Sequence, residues 1–425
     1  MNKLLISILF IIFGNFLNAQ TQNILFIGGI AHIGNGTKID NSAIAINNGK
    51  FTLVSKWNSN IDTSLYDTII DIANQHIYPG FIAVNTTLGI TEISAVRATR
   101  DYNETGDFKP HVRSLTSYNT ESKIIPTIRT NGILLAQVAP KGGIITGTSS
   151  IMNLEGWNWE DAVYKKDDGI HLNWPKYFQQ SGWWAEPGSI KKTDNYNSKV
   201  KKIEDYFNIA KSYFNSNKSK LDLELDATEG LFTGEKRLYI HANLVKEITD
   251  AILFSKKIGI KHIVIIGGNE AHLITDFINE YNVPILLDRI HRLPLTEDTP
   301  IDMPYRQANI LHKNGILFGF CYQGDMEAMG QRNLPFSAGT AVSYGLPYDE
   351  AISSLSLNTA TILGIENKVG SITKGKFATF FISTGDALDM KSNNLTYVYI
   401  EGKKINLNNH QSDLYNKYKS KYQVK

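Results

Sequence analysis

The chain has 425 residues, more than one domain of ~150 residues would use; 42% are apolar, 20% charged and 11% aromatic, which excludes a disordered, collagen-like or low-complexity chain. Lys and Arg number 43 against 41 Asp and Glu, so the formal charge is only +2, and no basic stripe interleaved with aromatics marks it as a partner for nucleic acid. Cys321 is the single cysteine, which excludes an intramolecular disulfide and any multi-cysteine zinc or iron–sulfur centre.

In chain order, Met1-Asn2-Lys3 supplies a short positive start, 4–13 is almost unbroken Leu/Ile/Phe, and Leu17-Asn18-Ala19 ends on a small residue. That pattern predicts a secretory leader over 1–19, cleaved near Ala19, and a periplasmic or secreted protein; an apolar run of about ten residues is too short to span a bilayer. No later stretch reads as a membrane span. Short strands bounded by turns follow at 23–27, 43–46 and 51–54, and Asn48-Gly49 between two apolar runs signals a hairpin.

From 77 the pattern changes. Strand-like runs at 132–138, 238–240, 262–266, 284–287 and 316–322 alternate with helical runs that include 244–257, 270–280 and 348–355. Such alternation over 77–365 predicts an α/β fold, with a (β/α)8 TIM-type barrel as the leading form. Short strands return at 370–372, 378–383 and 395–400, so 20–76 and 366–407 are expected to form one composite β-sandwich from both termini. An insertion is expected at about 175–230, and a polar tail, helical or frayed, at 408–425.

Within the insertion, Val200, Ile203, Tyr206, Phe207, Ala210, Tyr213 and Phe214 recur at helical spacing and predict a docking helix. Trp157, Trp159, Trp174, Trp183 and Trp184 cluster around its start. They read either as an aromatic rim over a binding mouth or as a hydrophobic cluster pinning the insertion to the barrel.

Tyr78-Pro79-Gly80-Phe81-Ile82 at the junction is where a resemblance begins. With Pro110-His111-Val112-Arg113, the Lys141-Gly142-Gly143 turn, Gly147-Thr148-Ser149-Ser150, Ile240-His241-Ala242, Arg332-Asn333-Leu334-Pro335-Phe336, the run 357–364 and Gly370-Ser371-Ile372, the chain resembles the amidohydrolase superfamily in its imidazolonepropionase-like branch. The resemblance covers most of the chain after the leader. It implies hydrolysis of a non-peptide C–N bond, as in a cyclic amide, by one or two divalent metals such as zinc at the C-terminal mouth of the barrel. There the metal lowers the pKa of bound water.

The ligands it implies are His-x-His on the first barrel strand, one His on each of two later strands, and an Asp after the last. Period-two alternation would point the first pair into the mouth together. Here those two positions read Asn85 and Thr87, the next His matches His241, the following one falls on Gly267, and the Asp falls on Gln323, with Asp325 two residues on. Amide and hydroxyl oxygens replace imidazole poorly and glycine offers nothing, so weak or no metal binding is expected, with His241 as a relic ligand.

Further candidates near strand ends are Glu270, His272 and the cluster Asp288-Arg289-Ile290-His291-Arg292. The cluster reads as an acid/base and anion-orienting group or as a loop salt-bridge network. Arg97, Arg100 and Asp101 either line the mouth or cap it. The residues assigned to catalysis are His241, His291 and Asp325, and those assigned to substrate binding are Asn85, Thr87, Arg289 and Gln323. Three functions follow: a hydrolase with a rearranged site, using His241 or His291 as base; a non-catalytic small-molecule-binding homologue; or a partner of a metal-competent paralogue, in a homo- or hetero-oligomer.

Overall fold

A computed structural model of the chain describes residues 23–183, 185–216, 220–296 and 298–422. The expected leader at 1–19 and Trp184 lie outside the described residues.

The first hairpin forms where the sequence asks for it. Ser42–Asn47 pairs antiparallel with Lys50–Lys56, and Asn48 and Gly49 at the turn carry φ of 50° and 77°. Two successive left-handed residues match the twist of the flanking strands, and Asn-Gly tolerates both. With Ile24–Ile27 and Thr68–Asp71 this hairpin makes a four-stranded sheet.

Facing it is a six-stranded sheet drawn from both ends of the chain. Ile30–His32, Lys38–Ile39 and His76–Pro79 come from the N-terminal side, and Phe380–Ser383, Leu395–Ile400 and Lys403–Lys404 from the C-terminal side. His76–Pro79 pairs antiparallel with Phe380–Ser383. Phe26 fills the space between the sheets, edge-on to Phe380 and Tyr399 at 5.5 Å each.

Gly80 hands the chain from sandwich to barrel, its N–H bonding Thr379 while that of Phe81 bonds Gly132. The barrel sheet has eight strands in this order around it: Phe81–Thr86, Ile133–Val138, Ile145–Asn153, Val163–Asn173, Arg237–Ala242, Ile263–Gly267, Ile285–Leu287 and Phe318–Phe320. Among the described residues no backbone ladder joins the first strand to the eighth. They meet instead through the Cys321 thiol, which donates to the Val84 carbonyl at 3.5 Å.

The barrel is TIM-like, with one departure from strict strand–helix alternation. The third strand runs antiparallel to both neighbours. Only residues 139–144 separate the second strand from the third, and a parallel crossover needs a dozen or more, so the chain can only turn back. The third and fourth strands were not anticipated from the sequence, because Thr146-Gly147-Thr148-Ser149-Ser150 and Lys165-Lys166-Asp167-Asp168-Gly169 carry no apolar run.

Between the fourth and fifth strands the insertion forms a hairpin, Phe178–Trp183 with Glu186–Lys192, and then the helix Tyr196–Phe214. Tyr196, Ile203, Phe207 and Ala210 form the helix's buried stripe, and Phe207 meets Phe254 on the helix Val245–Ile258 at 5.5 Å. The tryptophans divide. Trp174 is buried, its ring 5.4 Å from Phe254 and its Nε1–H donating to the Tyr196 hydroxyl at 3.0 Å, whereas Trp157 is 89% exposed and Trp183 is exposed. Pinning is therefore the work of Trp174 alone among these three. A last helix, His410–Tyr422, carries the polar tail. Among the described residues no helix is long and apolar enough to cross a membrane.

Candidate functional site

Seven of the barrel strands deliver their C-terminal ends to one face, where side chains from separate strands converge. On the first strand Asn85 is fully buried and left-handed, with φ of 52°. Its N–H donates to Gln137 Oε1 at 3.1 Å, and its Nδ2 lies 3.8 Å from Cys321 Sγ. That left-handed residue breaks the alternation expected of Asn85 and Thr87. Thr87 is taken by Glu327 instead: its N–H and hydroxyl both donate to Oε1 at 2.6 Å, while Thr86 donates to Oε2 at 2.8 Å. Gln331 adds a fourth bond to the same carboxylate at 2.9 Å.

The mouth contains two residues that the sequence had not marked as functional. Lys141, after the second strand, donates from Nζ to both the carbonyl and the Oδ1 of Asn85 at 2.9 Å each. His171, near the end of the fourth strand, is fully buried, stacks on Tyr239 at 4.7 Å, and shares a 3.2 Å hydrogen bond between its Nδ1 and His241 Nε2. Its Nε2 is buried without a partner. Burial holds both rings neutral: it pushes His171 well below the ordinary imidazole range, helped by His241 and Lys141, and His241 down to about 3, helped by Lys141.

A buried network stands beneath them. The Asp168 carboxylate accepts from the Tyr239 hydroxyl at 2.7 Å, the Ser149 hydroxyl at 2.7 Å and Gln137 Nε2 at 2.9 Å. Gln137 thus links Asp168 to the backbone of Asn85, and the strained turn that Lys141 grips is anchored in the barrel interior.

The other expected residues are more scattered. Gly267 ends the sixth strand with φ of 103°, and a Cβ there would lie 2.3 Å from Asn243 Oδ1, so no side chain fits. Asp288 is partly buried and accepts from the Arg289 N–H at 2.7 Å; burial pushes its carboxyl above the ordinary range. The Arg289 guanidinium lies 5.5 Å over the Tyr322 ring. Gln323 sits beside the Cys321 thiol, which burial pushes up to about 12, so Cys321 is an uncharged thiol at neutral pH.

His291 is exposed and bonds the Thr340 hydroxyl at 2.9 Å, and Asp325 is exposed with no bond among the described residues. Glu270 caps the helix Val245–Ile258 by accepting from the Val245 N–H at 2.7 Å. His272 lies in the short turn Ala271–Leu273 with a buried, unpartnered Nδ1. Arg97 and Asp101 are exposed, and Arg100 reaches the Tyr102 hydroxyl at 3.5 Å. Among the described residues, no three His, Cys, Asp or Glu side chains gather in a way that could hold a metal ion.

Beside the mouth a cavity of about 550 Å³ opens between the insertion hairpin (Phe178, Gln180, Ile190) and Asn243, Leu244 and Leu295, which follow the fifth and seventh strands. That volume suits a small molecule. The wall carboxylate Glu247 is already used by the N–H groups of Tyr177, Asn243 and Leu244. Lys176 and Lys199 in the same wall have no ion-pair partner among the described residues.

This architecture has known counterparts. A crystal structure of an amidohydrolase from Thermotoga maritima MSB8 is similar over 90% of this chain and 99% of its own, with a TM-score of 0.76 at 22% identity. A Xaa-Pro dipeptidase solved with methionine in its active site is similar over 90% of this chain and 99% of its own, with a TM-score of 0.55 at 14% identity. Molinate hydrolase is similar over 91% and 95%, with a TM-score of 0.55 at 12% identity. A search of curated proteins finds no match. Residues 232–405, from just before the fifth strand to the last sandwich strands, match the sequence profile of the amidohydrolase family, and the chain has a fold that solved amidohydrolases share.

Proposed function

We propose that this protein is an amidohydrolase homologue that keeps the barrel mouth as a small-molecule site and has given up metal-dependent C–N hydrolysis. The observation that carries this reading is the donor set. At the positions where the resemblance implies metal ligands stand Asn85, whose two oxygens are bound by the Lys141 ammonium, Thr87, which is held by Glu327, and Gly267. His241 spends Nε2 on His171. Two imidazoles beside an ammonium do not fit a divalent cation, and losing first-shell donors costs far more than the ~10–100-fold typical of an outer partner. The motifs shared with imidazolonepropionase-like enzymes support that branch as the ancestry, and the leader-like start supports action outside the cytoplasm.

Elemental mass spectrometry on protein purified without chelator, then dialysed against zinc and manganese, tests the reading. Well under one metal per chain is expected. Near-stoichiometric metal, together with hydrolysis of a cyclic amide that a chelator abolishes, would overturn it.

One observation favours a second reading, metal-free hydrolysis of an amide with His241 as base: its ring is neutral and partly exposed at the mouth. A base with a pKa of about 3 is poorly matched to neutral pH, which ranks this reading second. If it holds, His241→Ala abolishes turnover of a cyclic amide while the circular dichroism spectrum is kept.

A further inference from the structure

We propose that the Lys141 ammonium is the fixed cation of the barrel mouth and receives the carboxylate of a small organic anion there. The inference rests on the reading above, that no metal ion supplies the positive charge, and adds the class of ligand.

Lys141 is a lysine with little freedom. Two of its three N–H groups are spent on the carbonyl and Oδ1 of Asn85, and the third has no acceptor among the described residues, although the side chain is only partly exposed. Asn85 is itself held through Gln137 and Asp168, so the ammonium is fixed relative to the barrel interior rather than free in solvent. Asn85 Nδ2 lies 3.8 Å from Cys321 Sγ just past the eighth strand, so the ammonium bound to Asn85 stands among the converging strand ends, where its charge bears on His171 and His241.

The imidazole pair adds a donor. In their mutual bond one ring donates and the other accepts, and the accepting ring must carry its N–H on its far nitrogen. That proton therefore stands on His171 Nε2 or on His241 Nδ1, neither of which bonds another described residue, and an anion can draw it to whichever nitrogen it meets. Lys176 and Lys199 in the adjoining cavity, without an ion-pair partner among the described residues, give the approach the same sign. A carboxylate fits better than a phosphate dianion, because it brings one charge to one fixed ammonium, and a second carboxylate on the same molecule can stay in solvent, whereas phosphate concentrates two charges on one centre beside the Asp288 carboxyl.

The test uses this chain, with its metal content measured in the same preparation, succinate as the probe and uncharged succinamide as its control. Succinate is expected to raise the melting temperature with millimolar affinity, up to about 20 mM, and succinamide to leave it unchanged. Lys141→Met is expected to weaken succinate about tenfold or more, the loss of one charge-assisted bond, and Lys176→Met with Lys199→Met only about twofold. A readout on the unmodified sequence guards against a Lys141 variant that fails to fold. Succinate should shield Lys141 from reductive methylation, read by peptide mass spectrometry, and leave Lys199 labelled. No shift with succinate, an equal shift with succinamide, or unshielded Lys141 would overturn the proposal. Stoichiometric metal in the same preparation would instead overturn the reading beneath it, so the two failures are told apart.

Discussion

The last four strands of the barrel and the first four differ in what they turn inward. From the fifth strand on, apart from Tyr239, whose hydroxyl reaches Asp168, the buried side chains are mostly apolar, among them Leu238, Ile240, Val264, Ile265, Ile266, Ile285, Leu286, Phe318 and Phe320, with helices covering the outside. In the first four strands, two of which are joined by hairpin-like turns, Asn85, Gln137, Ser149 and Asp168 are buried and bonded to one another across strands, and the buried His171 bonds His241. An apolar interior tolerates exchange among residues of similar volume, whereas a buried polar network holds only when every partner is present. The first kind of interior carries the fold. The second carries the mouth, and the profile of the amidohydrolase family matches the part of the chain that begins just before the fifth strand.

The sharpest way to break that contrast is at Asp168. Asp168→Ala leaves the buried Tyr239 hydroxyl and Gln137 amide without their acceptor and the Ser149 hydroxyl with only the Gly169 carbonyl, at a cost of about 3–5 kcal/mol. The paired cut in the apolar half, Ile265→Val, is expected to cost about 1 kcal/mol. Urea denaturation of both variants measures the difference, and equal losses would show that the two halves are not held in different ways.

Acid gives the next effect. His171 and His241 are neutral when folded, with pKa values below the unfolded value near 6.5, so the unfolded chain binds more protons below that pH. Stability is therefore expected to be flat above pH 6.5. It then falls as pH drops toward 3, by up to ~1.4 kcal/mol per pH unit for each histidine held neutral. Burial lowers the pKa values of His32, His76, His262, His272 and His291 as well. Replacing both His171 and His241 with glutamine should therefore reduce the slope of the urea midpoint between pH 6.5 and 4.5, and an unchanged slope would rule them out as a source of it.

The smallest effect belongs to Trp157, in the link between the third and fourth strands. It is 89% exposed, so Trp157→Ala should shift stability by less than about 0.5 kcal/mol despite the size of the ring. A larger loss in thermal melts would mean that the ring packs on something in solution.

What could be read from the sequence follows the same division. The turn at Asn48-Gly49, the helix with Tyr196, Ile203 and Phe207 on one face, and the strand ending in His241 were legible, because apolar periodicity and turn chemistry report burial directly. Lys141 and His171 were not. One sits in a short Gly-rich loop with no periodicity to report its direction, and the other on a strand that buries the polar Asp168 and His171. A strand that reads Lys-Lys-Asp-Asp-Gly, exposed at Lys166 and buried only from Asp168 on, gives no hydrophobic signal, and its partners come from other strands. The alternation rule also failed at Asn85, where one left-handed residue sends Thr87 to Glu327 rather than into the mouth with its neighbour.

The sheet shared by the two chain ends bears on when the molecule can fold. The Tyr78 hydroxyl accepts from the Ala387 N–H across 309 positions, and His76–Pro79 finds its antiparallel partner only in Phe380–Ser383. During synthesis that N-terminal strand must wait, one edge unpaired, until nearly the whole chain has been made. Contacts of such long sequence separation form late and slowly, and an open edge invites pairing with the wrong chain in the interval. The sandwich therefore acts as a clasp that closes last: the barrel is tied off only when both ends of the chain are in hand.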